Sequence, residues 1–155
     1  MKVFRTLTCL IMVLIILITT IQCTSVPKLQ KESPTTFKET YYQKWNAGIK
    51  EGGSGINVYL ETINASILLD RIYFRGKMAK LQKMPNNSLL YIGRFKSKIN
   101  DSIEDSKQLS NWPFQIEDDE CVVSYSVEKK VLYFKISNLK ERQSINYPRL
   151  PSNRQ

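Results

Sequence analysis

The chain contains no histidine. That absence removes Ser-His-Asp and Cys-His nucleophilic catalysis and every His-ligated metal site. Cysteine is scarce: three in 155 residues, Cys9, Cys23 and Cys121. Three thiols supply neither a four-cysteine zinc site nor a multi-bridge disulfide scaffold. Acid is the scarcer charge, with 14 Asp and Glu against 23 Lys and Arg, a formal net charge of +9. A basic balance of this size favours anionic partners. The length fits a single domain. A chain this long buries about two-thirds of its unfolded surface, so a core without disulfides is feasible.

The first 25 residues follow the grammar of an export signal. Lys2 and Arg5 form a positive start, Leu10 to Ile18 is an unbroken apolar run, and small polar residues follow to Ser25. The alternative is a retained anchor helix, because the stretch from Thr6 to Pro27 carries no charge and a bilayer needs ~20 apolar residues. Cys23 stands at the junction of the apolar run with Thr24, Ser25, Pro27 and Lys28. This is the place of the acylated thiol in a bacterial lipoprotein signal, although Gln22 and Thr20 depart from the usual residues there. Lipidation at Cys23 and ordinary cleavage after Ser25 are both open. In each version the remainder is exported, and nucleic acid is not an expected partner.

Residues 26–37, with Pro27 and Pro34, read as a linker. Residues 38–146 read as the folded domain and 147–155 as a Pro-broken, basic, frayed tail. Within the domain the pattern is strand-like. Val123, Tyr125 and Val127 alternate with Ser124 and Ser126, and Leu132, Phe134 and Ile136 alternate with Tyr133 and Lys135. Glu128-Lys129-Lys130 joins the two runs, which predicts a hairpin. Further strands are expected over Ile56–Leu60, Ser66–Phe74 and Leu89–Phe95, with Lys77–Leu81 extending the second of these beyond a bend at Gly76 and a turn over Met84–Ser88. Thr40–Ile49 fits an amphipathic helix turn or a strand, and the glycines that follow favour the strand. Ser97–Trp112 reads as a long loop or a short surface helix. The expected fold is all-β: a single antiparallel β-sandwich or small barrel-like domain after an N-terminal signal helix.

If residues 70–77 are extended, Arg71, Tyr73, Arg75 and Lys77 share one face, with Ile72 and Phe74 turned to the core. Arg94 and Lys96 alternate in the same way on the next strand. Together they predict a basic face holding a tyrosine, able to meet anionic glycan or lipid headgroups. The plain alternative is a solvated face with cations lying across an aromatic ring. Gly52-Gly53-Ser54-Gly55 lacks the Gly-Lys-Ser/Thr and helix of a phosphate loop, and reads as a turn. Glu117-Asp118-Asp119-Glu120 lacks the spacing of a calcium loop and reads as a solvated loop. Cys121 opens an apolar strand and reads as a buried structural thiol. Tyr41, Tyr42 and Trp45 are a candidate docking patch for an envelope protein. An enzyme would need at least two of Asp70, Tyr73, Lys77, Glu117, Asp118 and Asp119 in one cleft. No pattern calls for a cofactor, a metal or a catalytic set.

Several segments resemble a family of small exported proteins and predicted lipoproteins of Bacteroidota bacteria, flavobacteria above all. They are Tyr41-Tyr42-Gln43-Lys44-Trp45 with Ala47-Gly48-Ile49, Gly52-Gly53-Ser54-Gly55-Ile56-Asn57, Leu69-Asp70 with Ile72-Tyr73-Phe74-Arg75-Gly76-Lys77, Glu120-Cys121-Val122-Val123-Ser124-Tyr125, and Tyr133-Phe134-Lys135-Ile136-Ser137-Asn138. The resemblance covers most of residues 40–147. It implies a Gram-negative envelope and brings no catalytic residue with it. In such bacteria acidic residues after the acylated cysteine often mark surface exposure. Thr24, Ser25, Val26, Pro27 and Lys28 follow here, which implies a domain facing the periplasm.

Overall fold

The computed structural model describes residues 27–49, 52–97, 106–108 and 113–148. The stretch read as a signal, Cys23 included, lies outside them. Ten strands are formed: β1 (Leu29–Gln30), β2 (Phe37–Asn46), β3 (Ser54–Thr62), β4 (Leu69–Phe74), β5 (Lys77–Met84), β6 (Asn87–Lys96), β7 (Ser106–Gln108), β8 (Cys121–Val127), β9 (Lys130–Ile136) and β10 (Lys140–Asn146). They hydrogen-bond in the order β1-β9-β8-β4-β5-β6-β3-β2-β10, with β7 beside β5. The all-β, sandwich-like expectation holds. The sheet is mixed rather than wholly antiparallel, because β1 lies parallel to β9 and β10 parallel to β2.

β5 is the corner of the fold. Its first half, Lys77 to Lys80, pairs with β4, and its second half, Leu81 to Met84, pairs with β6. One strand thus belongs to both layers, and the sheet folds over at this point. β1, β9, β8 and β4 form one layer; β6, β3, β2 and β10 form the other. Between them lie Ile72, Phe74, Ala79, Leu81, Cys121, Val123, Tyr125, Phe134 and Ile136, facing Tyr42, Val58, Leu60, Tyr91 and Phe95. These are alternate positions on each strand, as a pleated sheet with one buried face requires. The layers meet through aromatic pairs: Phe37 with Phe134 at 6.1 Å and Tyr42 with Phe74 at 5.4 Å between ring centroids.

A second, smaller core sits on the outer side of the first layer. Tyr73, Phe114 and Val122 pack there with Leu29, Met78, Ile116 and Tyr133. The segment 113–116 and β1, which falls in the stretch read as linker, cover this face.

Both two-residue turns of this layer have positive φ at their central positions: Arg75 and Gly76 at 47° and 75°, Glu128 and Lys129 at 48° and 65°. That geometry matches the twist of a hairpin and favours Asn-Gly. Non-glycine residues in this region cost on the order of 1 kcal/mol each. Replacing Glu128-Lys129 by Asn-Gly is therefore expected to raise stability by about 1–2 kcal/mol. Urea denaturation reads this directly; an unchanged or lowered midpoint would rule out strain in the turn.

Candidate functional site

The six residues expected to form a basic face do not stay together. The chain is extended only to Phe74 and then reverses at Arg75-Gly76. Arg71 remains exposed on the outer face of β4 and pairs with Asp70 at 3.5 Å. Tyr73 is on the same outer face but is 8 % exposed, in edge-to-face contact with Phe114 at 4.9 Å. Burial pushes its phenol up from the ordinary value, with Tyr133 as the next cause. It is part of the smaller core and not of a ligand surface. Arg75 turns to the rim of the main core. Its guanidinium lies over Tyr42 at 4.7 Å and Phe74 at 5.0 Å. It donates to the Tyr42 hydroxyl at 3.0 Å and to the Asp118 carbonyl at 3.0 Å. Lys77 donates to the Lys96 carbonyl at 2.7 Å, at the end of β6. Arg94 is half-buried on the outer face of β6 and donates to the Gln82 side chain.

The strand register assembles a different group. Arg71 stands opposite Lys80, Asn57 opposite Arg94, Gln43 opposite Asn57, and Arg142 opposite Gln43. Leu81 pairs with Gly93, so Lys80 and Arg94 are one step along the same β5–β6 ladder. Arg71, Lys80, Arg94, Asn57, Gln43 and Arg142 thus form one row across β4, β5, β6, β3, β2 and β10. Neighbouring strands are ~4.8 Å apart, so the part from Arg94 to Arg142 in the second layer is about 14 Å long, and the row bends at β5 to reach Arg71. It holds four cations and two amides and no carboxylate. Among the described residues neither Lys80 nor Arg94 has a carboxylate partner. The Asn57 side-chain oxygen is buried without a hydrogen-bond partner among them. Its amide donates weakly to the Tyr59 hydroxyl at 3.4 Å. Buried acceptors of this kind are rare and ask for a donor.

Beside the row stand three stacked planar groups. Arg142 lies 3.7 Å over the Tyr41 ring, and Tyr41 stacks on Tyr59 at 4.6 Å with 13° between planes. The spacing is that of adjacent strands, so the groups stand like cards across β10, β2 and β3. Arg142 also pairs with Glu39. Burial holds the Tyr41 phenol above its ordinary value, only partly offset by Arg142. Tyr42, taken with Tyr41 and Trp45 as a docking patch, points to the core instead and is 5 % exposed. Its hydroxyl donates to Glu141 at 2.8 Å, and Lys44 pairs with the same carboxylate at 2.7 Å. The hydrogen bond from Lys44, followed by that from Tyr42, lowers the Glu141 pKa. These contacts clasp β10, whose side chains are exposed apart from the half-buried Ile145, onto β2.

The acids do not converge. Asp70 pairs with Arg71, and Asp118 lies 4.0 Å from Arg75. Glu120 accepts from Lys135 at 2.7 Å, Ser137 at 2.7 Å and the Glu117 backbone N–H at 3.0 Å. Led by the Lys135 contact, these donors hold its carboxyl at about 2. This is a structural tie between the loop before β8 and the end of β9. Among the described residues no three acidic or thiol groups gather around a metal position. Cys121 is fully buried, and burial, followed by the Glu120 charge, pushes its thiol up. The glycine-rich stretch is the turn into β3 and opens no helix.

No protein-family model matches the chain, and neither a curated protein nor a solved structure matches it. Lys80, Asn57, Gln43 and Arg142 escaped sequence reasoning. Their grouping depends on strand order and register, which carry no local signal. Arg71 and Arg94 were found because they alternate with apolar neighbours.

Proposed function

We propose that the chain is an exported cell-envelope protein, held at the membrane by its N-terminal segment, whose folded domain binds an anionic glycan. The observation that supports the binding role is the row of Arg71, Lys80, Arg94, Asn57, Gln43 and Arg142, in which Lys80 and Arg94 have no carboxylate partner among the described residues. Its cations suit the carboxylate or phosphate groups of a polysaccharide, and guanidinium groups form forked hydrogen bonds to such anions. The Tyr41 and Tyr59 rings stand beside the row and offer hydroxyls to a sugar. On the outer face of the second layer the row is an open strip that bends at β5 onto β4, which suits an extended chain laid across the strands better than a small molecule in a cleft.

The test is titration of the full chain with polygalacturonate, with dextran as the neutral control. Binding to the anionic polymer is expected at low salt. Raising the salt to about 1 M shortens the screening length to ~3 Å and should abolish it. The double variant Lys80→Glu, Arg94→Glu should weaken binding at least about tenfold, since each charge reversal acts on both attraction and approach. Equal affinity for dextran, or an unchanged double variant, would overturn the assignment.

A further inference from the structure

The two ends of the sandwich differ in chemistry, and the chain enters at one of them. Leu29 pairs in parallel with Tyr133, so the residues before β1 arrive level with Val131, at the start of β9. Leu69 pairs with Tyr125, which brings the loop 63–68 beside Val127 at the end of β8. Around this entry point stand Leu68, Ile63, Val131 and Val127, exposed by 66, 54, 51 and 44 %. The other large hydrophobics this exposed among the described residues, Ile49 and Tyr147, are at the opposite end. Lys28, Lys129 and Lys130 are exposed at the entry end, with Glu128 as the carboxylate of the turn. The opposite end carries the acidic run Glu117 to Glu120. Singly scattered apolar residues on a surface are ordinary. Four around one chain entry, accompanied by three lysines, form a patch.

We infer that this end of the sandwich rests on an anionic bilayer surface. Leu68, Ile63, Val127 and Val131 reach the boundary of headgroups and acyl chains, and Lys28, Lys129 and Lys130 meet the headgroups. The inference rests on the reading of the N-terminal segment as a membrane tether. Chain length supports it. Four residue steps separate Cys23 from Pro27, a reach of about 13 Å when fully extended. An anchor at or before Cys23 therefore keeps the β8–β9 turn close to the headgroups. With the chain already tethered, apolar contact and lysine attraction orient this end towards the bilayer, at about 1 kcal/mol per lysine near an anionic surface.

The experiment uses the full chain purified from membranes and reconstituted into vesicles of phosphatidylethanolamine and phosphatidylglycerol. Single cysteines are introduced by Leu68→Cys and Val131→Cys at the entry end and by Asp119→Cys and Ile49→Cys at the other. Each is labelled with an environment-sensitive fluorophore, and the unsubstituted chain serves as the blank. Cys121 is buried and does not compete for label, and any label taken by Cys9 or Cys23 is subtracted with the blank. Brominated lipids are expected to quench the labels at 68 and 131 at least about twofold while leaving those at 119 and 49 unchanged; quenching of this kind needs contact with the acyl region. Vesicle-bound protein with equal or reversed quenching would overturn the contact and leave the tether standing. Protein that does not remain with the vesicles would overturn the tether, and the contact with it.

Discussion

Replacing Phe134 by alanine is expected to lower the stability of the domain by about 3–5 kcal/mol. Phe134 is 1 % exposed and lies on β9, in the middle of the first layer. Its ring faces Phe37 of β2 at 6.1 Å and Tyr125 of β8 at 5.7 Å. It therefore belongs to the contact that joins the layers, as well as to the packing within one layer. Removing the ring forfeits its transfer free energy and leaves a cavity that the rigid strands on either side cannot close. Domains of this size are held by roughly 5–15 kcal/mol in total, so the variant sits near the unfolding threshold. Val131 on the same strand is half-exposed, and Val131→Ala should change stability by no more than about 0.5 kcal/mol. Urea unfolding of both variants separates the cases. A loss below about 1 kcal/mol for Phe134→Ala would mean that the layers do not meet through this ring.

The contrast between Phe134 and Val131 is also what made β9 legible in the sequence. Period-two alternation places Leu132, Phe134 and Ile136 on one face, and burial follows it. The partner hairpin strand, β8, and β3, β4 and β6 were readable from the same apolar, β-branched patterning, whereas β5 was read only as a continuation of β4 beyond Gly76. β10 was not. Lys140-Glu141-Arg142-Gln143-Ser144-Ile145-Asn146 has one apolar residue, because it is an edge strand held by side-chain contacts to β2 and not by core burial. β1 was read as linker because two residues beside prolines carry no period. Both strands pair in parallel, with partners about 100 residues away, and local sequence carries no information about such pairings.

The candidate site divides along the same line. Alternation placed Arg71 and Tyr73 on one face, and that is where they are. What alternation cannot say is whether a face stays open. Phe114, forty-one positions further along the chain, covers Tyr73 and leaves Arg71 exposed. Arg75 was expected to continue the face because residues 70–77 read as one extended run, but it occupies a left-handed turn position. Here its guanidinium finds compensation over Tyr42 and Phe74 and at the Asp118 carbonyl. The turn that breaks the expected face also brings β5 back beside β4, and thereby places Lys80 opposite Arg71.

That return of β5 requires a close approach at the corner, and Gly93 provides the room. A methyl group built on Gly93 would meet the Ile72 Cγ2 methyl at 2.5 Å, with Phe95 and Leu81 at ordinary contact behind it. Ile72 is completely buried between β5 and β8, so it has nowhere to retreat. Gly93→Ala is therefore expected to destabilise the domain by about 1–3 kcal/mol, as overpacked cores do, although alanine is otherwise the better strand residue of the two. The clash is with one named methyl, and that makes it separable. Ile72→Leu removes the branched methyl at nearly constant volume and on its own should cost less than about 1.5 kcal/mol. Combined with Gly93→Ala it should recover at least about 0.5 kcal/mol of the summed losses, the coupling expected of residues in direct contact. Strict additivity would place the constraint at Gly93 in its backbone and not in the Ile72 contact. The sheet would then fold at β5 for a reason other than the missing side chain. Coupling of the expected sign would tie the position of Lys80 beside Arg94, and with it the cation row, to the absence of a side chain on the inner face of β6.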